Sequence, residues 1–318
     1  MSKKDKKEIL PYLDDFLLHI QTNNYSKETL YNYERDLRTL DAFLGEEMSG
    51  LPFSGVTKRT MEQFKAYLTS KDRKTSGGIK PHKQLKSGSI NRILSSIRRY
   101  LVYLIDMDYK APIAPESIKL LRMEKKHPHV AELQDLVRLI ETPSEYEKNK
   151  MVGLRNRAML ELLFATGMRI SELVNLKRDQ VDKSSKIFIT GKGKKQRFVY
   201  LTDRAVRHLD TYLEERADNS DFMFVPYRGS NAHEKNAIST NYLQMKIKQY
   251  RNYVGINVPT SAHSLRHGFA TYLAENGANP AAIQILLGHE SLDTTTRYVH
   301  ASDRYAQKTH KKFHPLKD

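Results

Sequence analysis

The sequence predicts a mainly α-helical chain in two domains, the second carrying one small β-hairpin, and three observations predict it. Apolar residues recur at helical spacing through residues 9 to 44, 57 to 68 and 89 to 106, and again from residue 132 onward. Residues 110 to 130 hold Pro112, Pro115 and Pro128 and the basic cluster Lys125-Lys126-His127, with a stripe only around residues 118 to 121. The segments KIFIT and KQRFVYL alternate apolar and polar residues on either side of the glycine turn GKGK. A first domain is therefore expected over residues 1 to 110, a linker over 111 to 130 and a second domain over 131 to 318.

In the first domain Tyr12, Phe16 and Ile20 mark one helix, and Leu30, Tyr33, Leu37, Leu40 and Leu44 mark the next, with Ser26 as its cap. Residues 53 to 56 read as a loop, after which Thr57 caps a third helix carrying Met61, Phe64 and Leu68. The run SKDRKTSGGIKPHKQLKSGS, residues 70 to 89, is rich in Gly, Ser and Lys without periodicity and reads as a mobile basic loop. Ser89 is expected to cap a fourth helix whose stripe is Ile90, Ile93, Leu94, Ile97, Leu101 and Leu104. Asn91, Arg92, Arg98 and Arg99 fall largely off that stripe. In the second domain helices are expected at 132 to 141, 151 to 165, through Leu176, and at 203 to 217, 238 to 253, 261 to 275 and 280 to 287, around the hairpin.

Composition narrows the function. A net charge of +16 over 318 residues, with a pI near 9.6, favours a polyanionic partner, because binding one releases counterions. Solubility or an acidic membrane surface would also account for the charge. No apolar run approaches the roughly 18 residues that span a bilayer. MSKKDKKEIL has the charge of a signal peptide without its apolar stretch, so the chain is expected to stay in the cytoplasm. With no cysteine, disulfides, thiolate catalysis and cysteine-ligated zinc are excluded.

Several residues invite a chemical reading beside an ordinary one. Arg169, just after Thr166-Gly167, is expected early in a new helix with Glu172 on its own face. The two form either a surface ion pair or a phosphate-binding fork with its support. On the helix of residues 261 to 275, Leu265, Phe269, Tyr272 and Leu273 make the apolar face, and His263, Arg266 and His267 lie opposite. His263 and His267 have metal-ligand spacing, but Ser264 stands where the zinc-protease signature needs Glu, and no metal is expected. A histidine and an arginine three apart can share one phosphate; a helix-terminal histidine bonded to backbone is the alternative. The next helix is marked by Asn279 as cap, Pro280 at its first position and Gly288 as terminator, with His289 just beyond. Lys192 sits between two glycines in the hairpin turn, as a solvated charge or as a group reaching DNA, with Lys194, Lys195 and Arg197 after it. Tyr298, one of 18 tyrosines, is notable only for its place nine residues after His289 in LLGHESLDTTTRYVH.

Taken in order, Arg169, Lys192, His263, Arg266, His289 and Tyr298 resemble the active site of the tyrosine recombinases, which include the Xer proteins and phage integrases. The resemblance covers residues 131 to 318 and, with fewer matching features, 8 to 110. It implies a C-shaped clamp around DNA, built from an N-terminal four-helix, SAM-like core-binding domain and a mostly helical catalytic domain. It makes Tyr298 the nucleophile that forms a 3′-phosphotyrosyl link, and Arg169 and Arg266 the phosphate clamp, with Glu172 in support. His263 and His289 assist, and Lys192 is the general acid. Lys80, Lys83, Lys86, Asn91, Arg92, Arg98, Arg99, Lys194, Lys195 and Arg197 become the residues that bind DNA. No cofactor, metal or ATP is implied. The implied partners are double-stranded DNA with inverted half-sites and a tetramer, of this chain alone or with a second recombinase, on the nucleoid. The tail from residue 301 is a candidate for docking on a neighbour. Two features differ from the Xer pattern, a longer-looking 70 to 89 segment and a tail reading HPLKD instead of close to HPRA, and the expectation that no arm-binding domain precedes the four helices argues against a lambda-type integrase. A type IB topoisomerase-like enzyme and a DNA-binding clamp that does not cut are the rival readings.

Overall fold

The computed structural model describes residues 9–48, 51–70, 72–75, 78–123, 131–182, 185–191, 196–227 and 236–288. The chain divides into two compact units, Met1–Lys126 and His127–Asp318, each with its own core.

The first unit is built on four helices. In α1 (Leu13–Thr22) Leu13, Phe16 and Ile20 share one buried face, as their spacing requires. α2 (Lys27–Glu46) starts where the Ser26 hydroxyl accepts the Thr29 N–H at 3.2 Å. α3 (Lys58–Ser70) starts with Thr57 accepting from the Thr60 N–H at 3.3 Å. Residues Phe53–Gly55, expected as loop, make a 3₁₀ turn that buries Phe53. Next come β1 (Asp72–Thr75), β2 (Gly78–Gln84) and α4 (Ser87–Asp106), whose stripe from Ile90 to Leu104 closes the core with Tyr100. Asp36 on α2 is buried and accepts from Ser96 at 2.8 Å and from Arg92, pinning α2 to α4.

Three expectations for this unit are corrected. Residues 70 to 89 are not a structureless loop: β1 and β2 pair antiparallel, with Arg73 opposite Lys80 and Thr75 opposite Gly78. Backbone pairing supplies the order here, and the run lacks the apolar alternation that would have marked it. Lys80 and Lys83 therefore lie on β2. α4 begins two residues before Ser89, with exposed Lys86 at the cap position and its carbonyl accepting the Ser89 and Ile90 N–H groups. Residues 111 to 123, the first part of the expected linker, pack on the first unit. Ile118 is buried in the first unit's core, and the Asn91 amide bonds both the N–H and the C=O of Leu121, at 2.7 and 2.9 Å. Asn91, expected to bind DNA, thus holds the outgoing chain. Arg98 and Arg99 are half-buried, and Arg92 is exposed beside Asp36.

The second unit forms around α7 (Lys150–Thr166), which is buried on nearly every side and packs against most of its neighbours. Before it come α5 (Leu133–Glu141) and α6 (Pro143–Tyr146), and after it α8 (Ile170–Val174). β3 (Lys186–Thr190) and β4 (Gln196–Tyr200) form the expected hairpin, with Phe188 opposite Phe198 and Ile189 opposite Arg197. Helices α9 (Asp203–Glu214), α10 (Thr240–Tyr253), α11 (Ala262–Glu275) and α12 (Pro280–Leu287) complete the unit near their expected places.

Gly167 ends α7 at φ 61°, the left-handed conformation of a helix C-terminus. A Cβ there would stand 2.4 Å from the Phe269 ring on α11 and 3.0 Å from Leu287 on α12. Gly167→Ala is therefore expected to cost about 2–4 kcal/mol, adding left-handed strain to overpacking. Gly277, at φ 86° with open space around its Cβ position, supplies the control: Gly277→Ala should cost only about 1 kcal/mol of strain. Urea midpoints of the two variants, read against wild type, check both values.

Candidate active site

The turn at Gly167 delivers Arg169 to the start of α8. Arg169 is the cap residue and not, as expected, a residue inside the helix. Glu172, three residues on, reaches back: its Oε2 accepts the Arg169 backbone N–H at 2.7 Å and its Oε1 accepts the Arg169 Nη1 at 3.0 Å. This is one half of a capping box, with the carboxylate taking an amide that the helix leaves over. The Arg169 side chain is 35% exposed and that of Glu172 only 5%.

Arg197 completes the group and corrects the sequence reading. Expected to bind the DNA backbone, its side chain is 7% exposed and donates to both Glu172 oxygens, from Nη1 at 3.0 Å and from Nη2 at 2.8 Å. Strand parity is the cause. Arg197 faces the same way as Val199, and their cross-strand partners Ile189 and Ile187 are both buried. Burial alone would raise the Glu172 carboxyl. The hydrogen bonds from Arg197 and the Arg169 amide, with both guanidinium charges, outweigh it and hold the group below the usual carboxylate range.

A third arginine arrives from α11. The Ser261 hydroxyl accepts the Ser264 N–H at 3.3 Å to start this helix. Arg266, 3% exposed, donates Nη1 to the Gly167 carbonyl and Nη2 to the Leu287 carbonyl, each at 2.7 Å. α12 ends as its sequence predicted: Asn279 accepts the Ala281 N–H at 2.8 Å, Pro280 holds the first position, and Gly288 closes the helix at φ 65°. Three consecutive carbonyls at that end each receive one arginine: Leu286 takes Arg197 Nε at 2.9 Å, Leu287 takes Arg266, and Gly288 takes Arg169 Nη2 in a long 3.5 Å contact. Cations suit this place because a helix ends in unmatched carbonyls with partial negative charge.

His263 and His267, one turn apart on α11, meet through their Nε2 atoms at 2.8 Å. Burial lowers the pKa of His263, and the charges of Arg266 and Arg169 lower it further. His267 is brought down to about 4 by burial, by His263 and by Arg266. Both rings are neutral at pH 7, so one nitrogen of the contact donates and the other accepts.

The structure thus brings together Arg169, Glu172, His263 and Arg266, although Arg266 and the carbonyl it binds are 99 residues apart in sequence. Lys192, Lys194, Lys195, His289 and Tyr298 lie outside the described residues. In sequence, Lys192, Lys194 and Lys195 fall between the end of β3 and the start of β4, and His289 follows Gly288. Sequence reasoning missed the inward Arg197, whose strand parity was visible in QRFVY, and the role of His267 as partner of His263. It also missed the carbonyls of α12 as a docking point, which no side-chain pattern announces.

The comparisons give the family and the fold. A model of the phage integrase family matches residues 130–304, and a model of the phage integrase N-terminal SAM-like domain matches residues 13–107. Tyrosine recombinase XerD of Staphylococcus epidermidis is 31% identical over 312 residues, 95% of this chain and 98% of the relative. Among solved structures, XerH site-specific recombinase bound to a palindromic difH substrate superposes with a TM-score of 0.70 at 21% identity, covering 94% of this chain and 83% of that one. A lambda integrase dimer bound to a COC′ core site gives a TM-score of 0.67 at 16% identity, covering 91% and 94%. These two structures share the fold. Family model and relatives span the residues that carry the site, and the chain belongs to the phage integrase family, the tyrosine recombinases, enzymes of site-specific DNA recombination.

Proposed function

We propose that this recombinase cuts DNA with Tyr298, whose phenol oxygen attacks the scissile phosphorus, forms a 3′-phosphotyrosyl bond and displaces the 5′ oxygen. That hydroxyl, or its counterpart on a partner strand, reverses the step. The phosphotyrosyl bond retains the energy of the original, so neither ATP nor a divalent ion enters. Arg169 and Arg266 stabilise the charge that builds on the non-bridging oxygens, His263 and His289 donate hydrogen bonds, and Lys192 protonates the leaving oxygen. The single observation that carries the reading is the convergence of Arg169 and Arg266 on one helix end, with His263 close enough for both charges to act on it.

The substrate is double-stranded DNA with inverted half-sites, engaged by four protomers, either of this chain or shared with a second recombinase. Lys80, Lys83, Lys86, Arg92, Arg98, Arg99, Lys194 and Lys195 supply contacts to the DNA backbone. Relatives named XerD, matched along nearly all of both chains, favour Xer-type resolution of chromosome or plasmid dimers over mobile-element integration. No described helix is long and apolar enough to cross a membrane, which fits a protein working on the nucleoid.

The decisive experiment uses a nicked suicide substrate that traps the covalent complex. Tyr298→Phe should bind this DNA with near wild-type affinity and form no adduct. An adduct from the Phe variant would move the nucleophile elsewhere, and a wild-type protein that binds without any adduct would leave a DNA clamp.

Lys192 is tested by its leaving group. Lys192→Ala should be slow on ordinary DNA and recover towards wild type when the bridging 5′ oxygen is replaced by sulfur. A thiolate departs without an acid, because a thiol's pKa lies several units below an alcohol's. Lys194→Ala should match wild type on both strands. Equal defects of Lys192→Ala on the two substrates would remove it from the acid role.

The two histidines set a pH dependence. Their folded values lie below the ordinary 6.5, to about 4 for His267, so the unfolded chain binds more protons between those limits. Stability is then complete above pH 6.5 and falls as the pH drops towards 4. Denaturation midpoints at pH 7.5, 6 and 5 should decline in that order, and His267→Gln should flatten the decline. A wild-type profile without slope between pH 7 and 5 would contradict the neutral pair.

A further inference from the structure

We propose that Arg197 is a positioning residue for the reaction: its fork on Glu172 sets the orientation and the effective charge of the Arg169 guanidinium at the phosphate. The proposal rests on the reading that Arg169 acts on the scissile phosphate. Nothing in the sequence motif assigns Arg197 such a role, and its burial takes it out of the set of DNA contacts.

The geometry of Glu172 is the first ground. Each carboxylate oxygen is shared, Oε1 between Arg169 Nη1 and Arg197 Nη1, and Oε2 between the Arg169 N–H and Arg197 Nη2. Glu172 is therefore held from two sides, and its plane is fixed by the more buried partner. Without Arg197 the carboxylate has only the half-exposed Arg169 to pair with, and it is free to turn wholly onto that side chain.

Charge is the second ground. Two guanidinium groups and one carboxylate leave one net positive charge in the trio, and only Arg169 carries its share of it towards solvent. Take Arg197 away and the remaining pair is neutral, so a phosphate meets an arginine already compensated by its own support. Two cations on one buried carboxylate thus keep Arg169 both fixed and charged.

Arg197 is itself immobilised. Its Nε bonds the Leu286 carbonyl at 2.9 Å, and its side chain lies against Gly288, where a Cβ would stand 3.0 Å from Cδ. It also sits on β4, so the β3–β4 pair, α8 and α12 meet on one side chain.

The test compares single-turnover cleavage of a suicide strand carrying an ordinary scissile phosphate with cleavage of the two diastereomers in which one charged non-bridging oxygen is a neutral methyl group. Arg197→Met should be slowed roughly 10- to 100-fold on the ordinary phosphate. The defect should shrink to a few fold on the diastereomer that also rescues Arg169→Ala. Arg197→Lys keeps the charge and loses the fork, and should fall between the two; it also serves if Arg197→Met fails to fold. DNA affinity and its dependence on salt should stay at wild type, and Arg197→Met with Glu172→Gln should be no slower than the worse single variant. Equal defects on all three strands would mean a merely structural arginine, and a reduced salt slope would mean a DNA contact; either overturns the proposal, as does an undiminished rate. Arg169→Ala is the internal control. If it shows no rescue, the reading of Arg169 on the phosphate has failed, whereas rescue of Arg169→Ala without rescue of Arg197→Met overturns the role of Arg197 alone.

Discussion

The last carbonyls of α12 have no amides left in their own helix, and three arginines from α11, β4 and the start of α8 take them up. The placement of Arg169, Arg197 and Arg266 follows from that meeting point. It fixes where α12 stops, and Gly288 stops it because only a residue at ease in the left-handed region can turn the chain there with Arg197 lying across it. It fixes where α7 stops as well, since Arg266 bonds the Gly167 carbonyl with the nitrogen next to the one it gives to Leu287. Gly167 has no room for a side chain because Phe269 and Leu287 already fill the space. The two glycines belong to one packing problem, the seating of three helix ends on a few guanidinium groups.

Within that seat the arginines differ in what surrounds them. Arg197 and Arg266 are buried, and their charges are answered by carbonyls and by Glu172. Buried ions are costly to leave without partners, so removing one member of such a set destabilises far more than the set itself contributes. Arg169 stands at the edge, one third exposed, with Glu172 aiming it from behind. A guanidinium in that position is held on one side and open on the other, which is what recognition of a phosphate oxygen asks of it. Burial and partner geometry, more than residue type, divide the arginines into those that build the site and the one that faces outward.

Much of this was legible in the sequence, for reasons that can be named residue by residue. The ends of α12 were written in Asn279, Pro280 and Gly288, each of which acts locally. The stripes of α1 to α4 were written in apolar spacing, and Arg169, His263 and Arg266 in their short motifs. What escaped depends on partners far along the chain. β1 and β2 are ordered by their ladder in a run without apolar alternation, so composition suggested a loop. Asn91 looked like a surface amide until Leu121, 30 residues on, supplied both of its hydrogen bonds. Arg197 looked like one more charge in a basic run, and only the parity of β4 separates it from its neighbours.

That last case bears on how the net charge of this protein should be read. A charge of +16 suggests a surface given over to DNA, yet several arginines are internal ties. Buried Arg155 bonds the Val225 carbonyl at 2.8 Å, and Arg216 bonds those of Phe222 and Met223 at 3.0 and 2.7 Å. Arg197 and Arg266 hold the end of α12 in the same manner. Arginine suits this work because its fork reaches two acceptors at fixed angles and keeps its charge under burial. Arg155, Arg197 and Arg216, tied inside the fold, are not part of the exposed charge that releases counterions from DNA. The electrostatic footprint on a duplex belongs to the exposed cations, while the buried ones hold the helix ends between which Arg169 is seated.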